Sequence, residues 1–322
     1  MFPREKLLFL EELCTLVQMK RSFFVRTVLV WVLPLIFAST AGAVDEDGSE
    51  VIYRSVYEKI APKADLPMNQ LVLEVAKCFL GTKYVSGTLE SETEELRIYL
   101  DRTDCILFVE MCTGFALTVK GLRIEQVCDG EHYGTRPRPS VSMCEPSYEL
   151  LCDNIRNMRY RSGVLGDYSS RLHYTTEWIL QNETNGIMKE VTSELGIPID
   201  QKFSFMSAHR DLYRQLVADP SLLPVIIDTE KRLEAQGPYF KVPQARLKTP
   251  AVIGRIKDGD IIAFVDRNAG LDVSHVAFAY TVDGIMHFIH ASSKAGKVII
   301  ESRTLADYAA NGVRVIRLNE VQ

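Results

Sequence analysis

Apolar residues recur at helical spacing in the first half of the chain and at alternate positions near its end. Val72, Val75, Ala76 and Phe79 follow the three-four pattern and predict a helix over 69–80, with Gly81 as its stop. A polar cluster over 101–104 gives way abruptly to Ile106, Leu107, Val109 and Met111. Asp104 is a good N-cap, so a second helix is expected from Cys105 to Lys120, ending at Gly121. The segment 44–68 is polar with Pro62 and Pro67, a lead-in with one short helix, and 81–90 reads as a loop or extended stretch containing Tyr84. Pro137, Pro139 and Pro146 interrupt the middle, where helices are expected around 147–156, 175–180, 191–196 and 209–218. From 258 the period changes to two, predicting short strands over 260–265, 275–280, 285–291, 297–302 and 313–318. The expected class is α+β: N-terminal helices packed on an antiparallel sheet, with a long, mostly helical insertion over 121–255.

Two of these strands flank Asp283-Gly284, a strong signal for a two-residue hairpin. In that register Val282 pairs with Ile285 and Tyr280 faces His287. His275, Ala277, Phe288 and His290 then share one face of the sheet, with the two histidines as diagonal neighbours and His287 on the other face. Ala277 and Ala279 keep the shared face shallow, leaving room for a helix end bearing Cys105.

Composition narrows the class. The chain has 322 residues, 47% hydrophobic and 25% charged, ordinary for a globular protein with a real core. A net charge of -5 and the lack of a long basic run argue against a nucleic-acid surface. Lys20, Arg21 and Arg26 precede the apolar run Thr27–Ala38, and Ala41-Gly42-Ala43 follows. This is the pattern of a secretory leader cleaved after Ala43, leaving 44–322 as a single domain with no stable membrane anchor. An uncleaved anchor is the competing reading. Past residue 43 six cysteines remain: Cys78, Cys105, Cys112, Cys128, Cys144 and Cys152. Cys78 and Cys112 read as small core residues. Any disulfide is expected among Cys128, Cys144 and Cys152. With no C-x-x-C or H-E-x-x-H pattern, no metal or cofactor is expected.

The candidate chemistry centres on Cys105. A helix N-terminus carries partial positive charge and favours thiolate, which makes a nucleophile of cysteine. Histidines on strands supply what such a nucleophile needs, a base and an orienter. Each residue also has a bland reading: Cys105 as a small core side chain, His275 as a satisfied sheet histidine, Tyr84 as packing. Arg159 and Arg161 are candidates to grip substrate carboxylates, and His173 and Trp178 to line a subsite; surface ion pairing is the plainer role for the arginines. Asn182-Glu-Thr184 matches a glycosylation sequon.

Gly81-Thr-Lys-Tyr84, Asp104-Cys105 opening a helix, and Ser274-His275-Val276 with His290-Ala291 together resemble the NlpC-type cell-wall cysteine peptidases, a papain-like superfamily. The residues after Cys105 and the 170-residue gap to His275 depart from its compact members. Both resemble one branch, in which Asp104–Glu110, Arg159–Gly163, Arg171–Tyr174 and His290–Ser293 have counterparts. That branch is regarded as N-acetylmuramoyl-L-alanine amidase-like. The resemblance implies Cys105 as nucleophile, His275 as base, His290 as orienter, and Tyr84, Asp104 and Ser274 beside the substrate. It implies peptidoglycan or soluble muropeptides as substrate, and the leader pattern makes the bacterial periplasm the expected location. The rival functions are an endopeptidase cutting within the stem peptide and a non-catalytic wall-binding protein.

Overall fold

In the computed structural model, residues 48–125 and 140–320 are described. The expected leader, Cys128, His132, Pro137 and Pro139 lie outside these residues. Helix α1 (Ser49–Ile60) buries Ser49, Tyr53, Val56 and Ile60, one face at helical spacing. It is longer than the short helix expected there. Helix α2 (Met68–Cys78) begins after Pro67 and buries Leu71, Val72, Val75 and Ala76. Two-residue strands β1 (Lys83–Tyr84) and β2 (Arg102–Thr103) pair in parallel and lead into α3 (Cys105–Val119).

Helix α3 is buried on every side from Leu107 to Val119, which marks it as the centre of the core. Its close neighbour is α4 (Tyr148–Arg159), capped by the Ser147 hydroxyl, which accepts from the Leu150 N–H. Gly114 sets their distance: a Cβ there would meet Ile155 Cγ1 and Leu151 Cδ1 at 3.1 Å. Strands β3 (Leu122–Glu125) and β4 (Ser140–Met143) form a separate antiparallel pair. Helix α5 (Thr175–Thr184) follows, then β5 (Met188–Glu190) and β6 (Ile197–Ile199). The helix expected over 191–196 is a single 3-10 turn, Thr192–Glu194, running into β6. The next stretch holds α6 (Phe205–Ala208), α7 (Arg214–Ala218), α8 (Leu223–Ala235) and β7 (Tyr239–Lys241), then α9 (Gln244–Leu247) and α10 (Pro250–Ile253). Tyr168, Tyr174, Phe203, Met206, Leu216, Ile226, Leu233 and Tyr239 give this part its own apolar cluster.

The remaining strands are β8 (Ile261–Val265), β9 (Val273–Val282), β10 (Ile285–Ser292), β11 (Lys297–Ile300) and β12 (Val313–Leu318), with α11 (Leu305–Tyr308) before the last. They build an eight-stranded sheet in the order β2-β1-β11-β10-β9-β8-β12-β5, antiparallel throughout except β1 with β2. The β9–β10 hairpin has the expected register, with Val282 opposite Ile285 and Tyr280 opposite His287. Asp283 and Gly284 both take positive φ, 50° and 78°, as the two-residue turn requires.

The two faces of the sheet bury different clusters. Val276, Phe278, Ile289 and Ala291 pack with Phe108 of α3. Ala277, Ala279, Phe264 and Phe288 pack with Leu247, Ile256 and Leu305. Helix α3 therefore lies on the face opposite Ala277 and Ala279, not on theirs as expected. Phe264, Phe288 and Tyr308 fill the shallow face instead, with ring centroids 4.8–5.2 Å apart.

Buried polar groups tie the middle of the chain to this sheet. The Asp272 carboxylate accepts from the Thr176 N–H at 2.6 Å, so it caps α5 across 96 residues. Arg314 of β12 donates to both oxygens of Glu190 at 2.8 and 2.7 Å and also to Thr176. Among the described residues no helix is long and apolar enough to cross a membrane.

Candidate active site

The Asp104 carboxylate accepts from the Leu107 N–H at 3.0 Å, and this cap places Cys105 in the first turn of α3. The thiol is only partly accessible. The backbone N–H groups of Val276, the residue after His275, and of Ile106 act on the thiol and favour its charged form. Tyr84, on β1, and Tyr308, on α11, are close enough that a charge on Cys105 raises both phenols, after burial as the larger cause or a leading one. The thiol packs at the rim of the apolar cluster between α3 and the sheet.

On that second face His275 Nε2 and His290 Nδ1 are 2.6 Å apart, the rings nearly perpendicular at 83°. His290 is 1% exposed. Aromatic rings enclose the pair: Phe264 lies 5.6 Å from His275, and Phe288 lies 4.9 Å from His290. A shift of register between Phe264 and Val265 lets β9 begin with Ser274 exposed, its hydroxyl 3.5 Å from the Phe264 carbonyl.

Electrostatics correct one expectation. Burial, then the neighbouring Asp104, pushes the Cys105 thiol up to about 12, and the backbone N–H groups around it recover only part of the shift. The helix N-terminus does not win here, because desolvation acts on the whole charge and the dipole offers only a fraction of one. His275 is held down to about 3 by burial and by His290, and His290 to about 4 by burial. At neutral pH Cys105 is therefore a neutral thiol, and His275 and His290 form a neutral pair.

Arg159, Arg161 and His173 each have a partner within the protein, and the Arg159 charge also acts on Asp104, opposing the rise that burial causes there. Arg159 is 4% exposed; its Nε donates to Glu110 at 2.8 Å and its Nη1 to the Arg97 carbonyl at 2.7 Å. It braces the loop before the nucleophile against α3. Arg161 donates to both oxygens of Glu177, at 2.9 and 3.2 Å, and to the Ser169 carbonyl. His173 Nε2 donates to the Tyr168 carbonyl at 2.7 Å, and burial keeps the ring neutral down to about 3. Trp178 is a core residue. Asn182 is fully buried with its amide on the Met158 and Trp178 carbonyls, so the sequon is closed to glycosylation. Cys112 is buried as expected, Cys78 is exposed at the end of α2, and Cys144 and Cys152 are not joined to each other.

Glu301 was not foreseen. Its carboxylate Oε2 lies 3.6 Å from His290 Nε2. The signal was present: the register Ile289 opposite Ile300 and His290 opposite Ile299, continued one step, sets Glu301 across from Phe288 on the His290 face. The Glu301 N–H donates to the Phe288 carbonyl at 2.9 Å, as that register requires.

The N-acetylmuramoyl-L-alanine amidase-like family, AmiA-like, matches residues 74–314. The chain belongs to that family. A crystal structure of an N-acetylmuramoyl-L-alanine amidase from Bacteroides uniformis is 31% identical, with 78% of this chain and 99% of that one covered, at a TM-score of 0.66. A Bacteroides fragilis protein provisionally described as a xylanase is 32% identical over 75% of this chain and 98% of its own, at 0.62. A Legionella pneumophila protein of the DUF1460 family shares the fold at 19% identity and a TM-score of 0.56, over 84% of this chain and 95% of its own. No curated protein matches the chain. Membership of the amidase-like family makes a cell-wall amide hydrolase of this type the frame for the site.

Proposed function

We propose that this protein is an exported cysteine amidase of the NlpC-type, papain-like kind. It cleaves the amide between N-acetylmuramic acid and the L-alanine of peptidoglycan or its soluble fragments. One observation carries the reading: His275 on β9 and His290 on β10 are in contact at 2.6 Å, and Cys105 opens the helix packed on that same hairpin. The leader-like residues 1–43 support export to the periplasm.

His275 has its Nε2 occupied by His290, so Nδ1 is the nitrogen left to accept the Cys105 proton. Because both groups start neutral, the proton moves to His275 as sulfur attacks the lactyl carbonyl. The S–C bond forms and the carbonyl electrons pass to oxygen. The Cys105 N–H, at the helix start, and the Tyr84 hydroxyl are the donors for that oxyanion. His275 then protonates the alanine nitrogen as the C–N bond breaks. Water, giving its proton to His275, releases the acyl group from sulfur. Ser274, exposed beside His275, and Asp104, which positions Cys105, complete the substrate side. Glycoside cleavage, suggested by the Bacteroides fragilis relative, needs two carboxylates flanking the bond. Here Asp104 is committed to the helix cap, and Glu301 receives Nε of Arg303 at 3.3 Å, so the site favours acyl transfer.

Mass spectrometry of defined muropeptides incubated with the protein tests the cleavage point. The expected products are a free sugar and a stem peptide beginning with L-alanine. A cut inside the stem would replace the amidase by an endopeptidase, and binding without any cut would leave a wall-binding protein.

The neutral pair also fixes the pH dependence. His275 accepts a proton only near about 3 and Cys105 loses one only near about 12, so kcat/KM is expected to be flat across neutral pH. It falls on the acid side as His275 becomes protonated and unable to act as base. A bell-shaped profile with a limb between pH 5 and 8, the ordinary histidine range, would instead mean a thiolate–imidazolium pair.

A further inference from the structure

His275 and His290 can share their contact in two ways. Either His275 Nε2–H donates to His290 Nδ1, or His290 Nδ1–H donates to His275 Nε2. The first leaves His275 Nδ1 bare, ready to take the thiol proton, and puts the remaining proton of His290 on Nε2. The second puts a proton on His275 Nδ1, where a base needs a lone pair, and turns a lone pair on His290 Nε2 outward. What faces Nε2 decides between them. That nitrogen is buried and makes no hydrogen bond. The charged group nearest to it is the Glu301 carboxylate at 3.6 Å. A carboxylate only accepts, so it attracts an N–H and repels a lone pair.

We infer that Glu301 is a positioning residue that selects the catalytic tautomer of the His275–His290 pair, extending the array from three members to four. The inference rests on the reading of Cys105 and His275 as nucleophile and base. The carboxylate is itself held. Arg303 donates to it from Nε, from Nη2 and from its backbone N–H at 3.1–3.3 Å, and Ser302 adds a hydroxyl contact at 3.4 Å. The Arg303 guanidinium in turn lies 4.2 Å from the Tyr308 ring centre. Burial pushes the carboxyl up, but the hydrogen bonds and charge of Arg303, with a smaller part from His290, outweigh it and hold the carboxyl below its usual range, so it is charged at working pH. The 3.6 Å separation exceeds a direct hydrogen bond. With His290 neutral, the contact is one between the carboxylate charge and the dipole of the ring, which still acts at this distance.

The test uses the full chain, labelled with 15N at histidine. In the unaltered protein at neutral pH, the ring shifts of His275 and His290 are expected to show both protons on Nε2. In Glu301→Gln, whose amide presents donor or acceptor equally, that preference weakens. With muropeptide as substrate, kcat falls about tenfold to a hundredfold while KM holds. Glu301→Asp restores much of the rate, because it keeps the charge. A proton on His290 Nδ1 in the unaltered protein overturns the proposal, and does so without any variant having to fold. So does a Glu301→Gln protein with unchanged shifts and unchanged kcat. The functional reading fails separately: if Cys105→Ala still hydrolyses muropeptide, Cys105 is not the nucleophile, whatever the histidine tautomers show.

Discussion

Cys105→Ala is expected to reduce muropeptide hydrolysis by about 10⁴-fold or more while leaving the thermal midpoint close to that of the parent. The two halves of this result have separate causes. The thiol is the group that forms the covalent bond, and neither Tyr84 nor the histidines can take its place. It contributes little to stability, because it lies at the rim of the apolar cluster and the cap beneath it is made by Asp104. Cys105→Ser is expected to be nearly as inactive, since a neutral histidine held down to about 3 is a weak base for an alcohol. Stopped assays with purified variants, read beside a melting curve, separate chemistry from folding. Appreciable turnover by the alanine variant would remove the cysteine mechanism altogether.

Arg159→Met is expected to destabilise the protein by about 3–5 kcal/mol, and the double variant Arg159→Met with Glu110→Leu to recover most of the loss. Arg159 and Glu110 are both almost fully buried and meet at 2.8 Å. Removing the arginine alone strands the Glu110 carboxylate and takes a donor from the Arg97 carbonyl. Removing both charges replaces the pair with apolar volume, at the cost of that one carbonyl contact. Urea unfolding of the parent, the two single variants and the double variant measures this as a cycle. The same four proteins decide the arginine's role in activity. A brace regains activity when stability returns, whereas a substrate ligand stays lost in the double variant. Recovery of stability without recovery of turnover would return Arg159 to the substrate side.

Much of the site was legible because it is encoded locally. The Asp104 cap, the apolar run after Cys105 and the stop at Gly121 define α3 within one short segment. Asp283-Gly284 fixes the hairpin register, and strand alternation then places His275 and His290 on one face without any knowledge of the rest of the chain. The period-two runs gave the strands β8 to β12 for the same reason. The middle was less legible. Helix α8 buries Ile226, Thr229, Glu230 and Leu233 at helical spacing, but two of these four are polar and mask the stripe, and the 3-10 turn at Thr192–Glu194 is too short to show a period.

What the sequence by itself determined is the helices α2 and α3, the strands β8 to β12 and the hairpin register, because caps, turns and periodicity act over a few residues. The tertiary structure alone decided which face of the sheet α3 covers, that Arg159 and Arg161 pair with Glu110 and Glu177, and that β1 and β2 pair in parallel at the edge of the sheet. It also decided the charge state of the site. A helix start favours thiolate in isolation, yet Cys105 is driven to the neutral thiol by burial and by Asp104. Desolvation and ion pairing depend on what the rest of the chain places around a group, and no local pattern of residues records that.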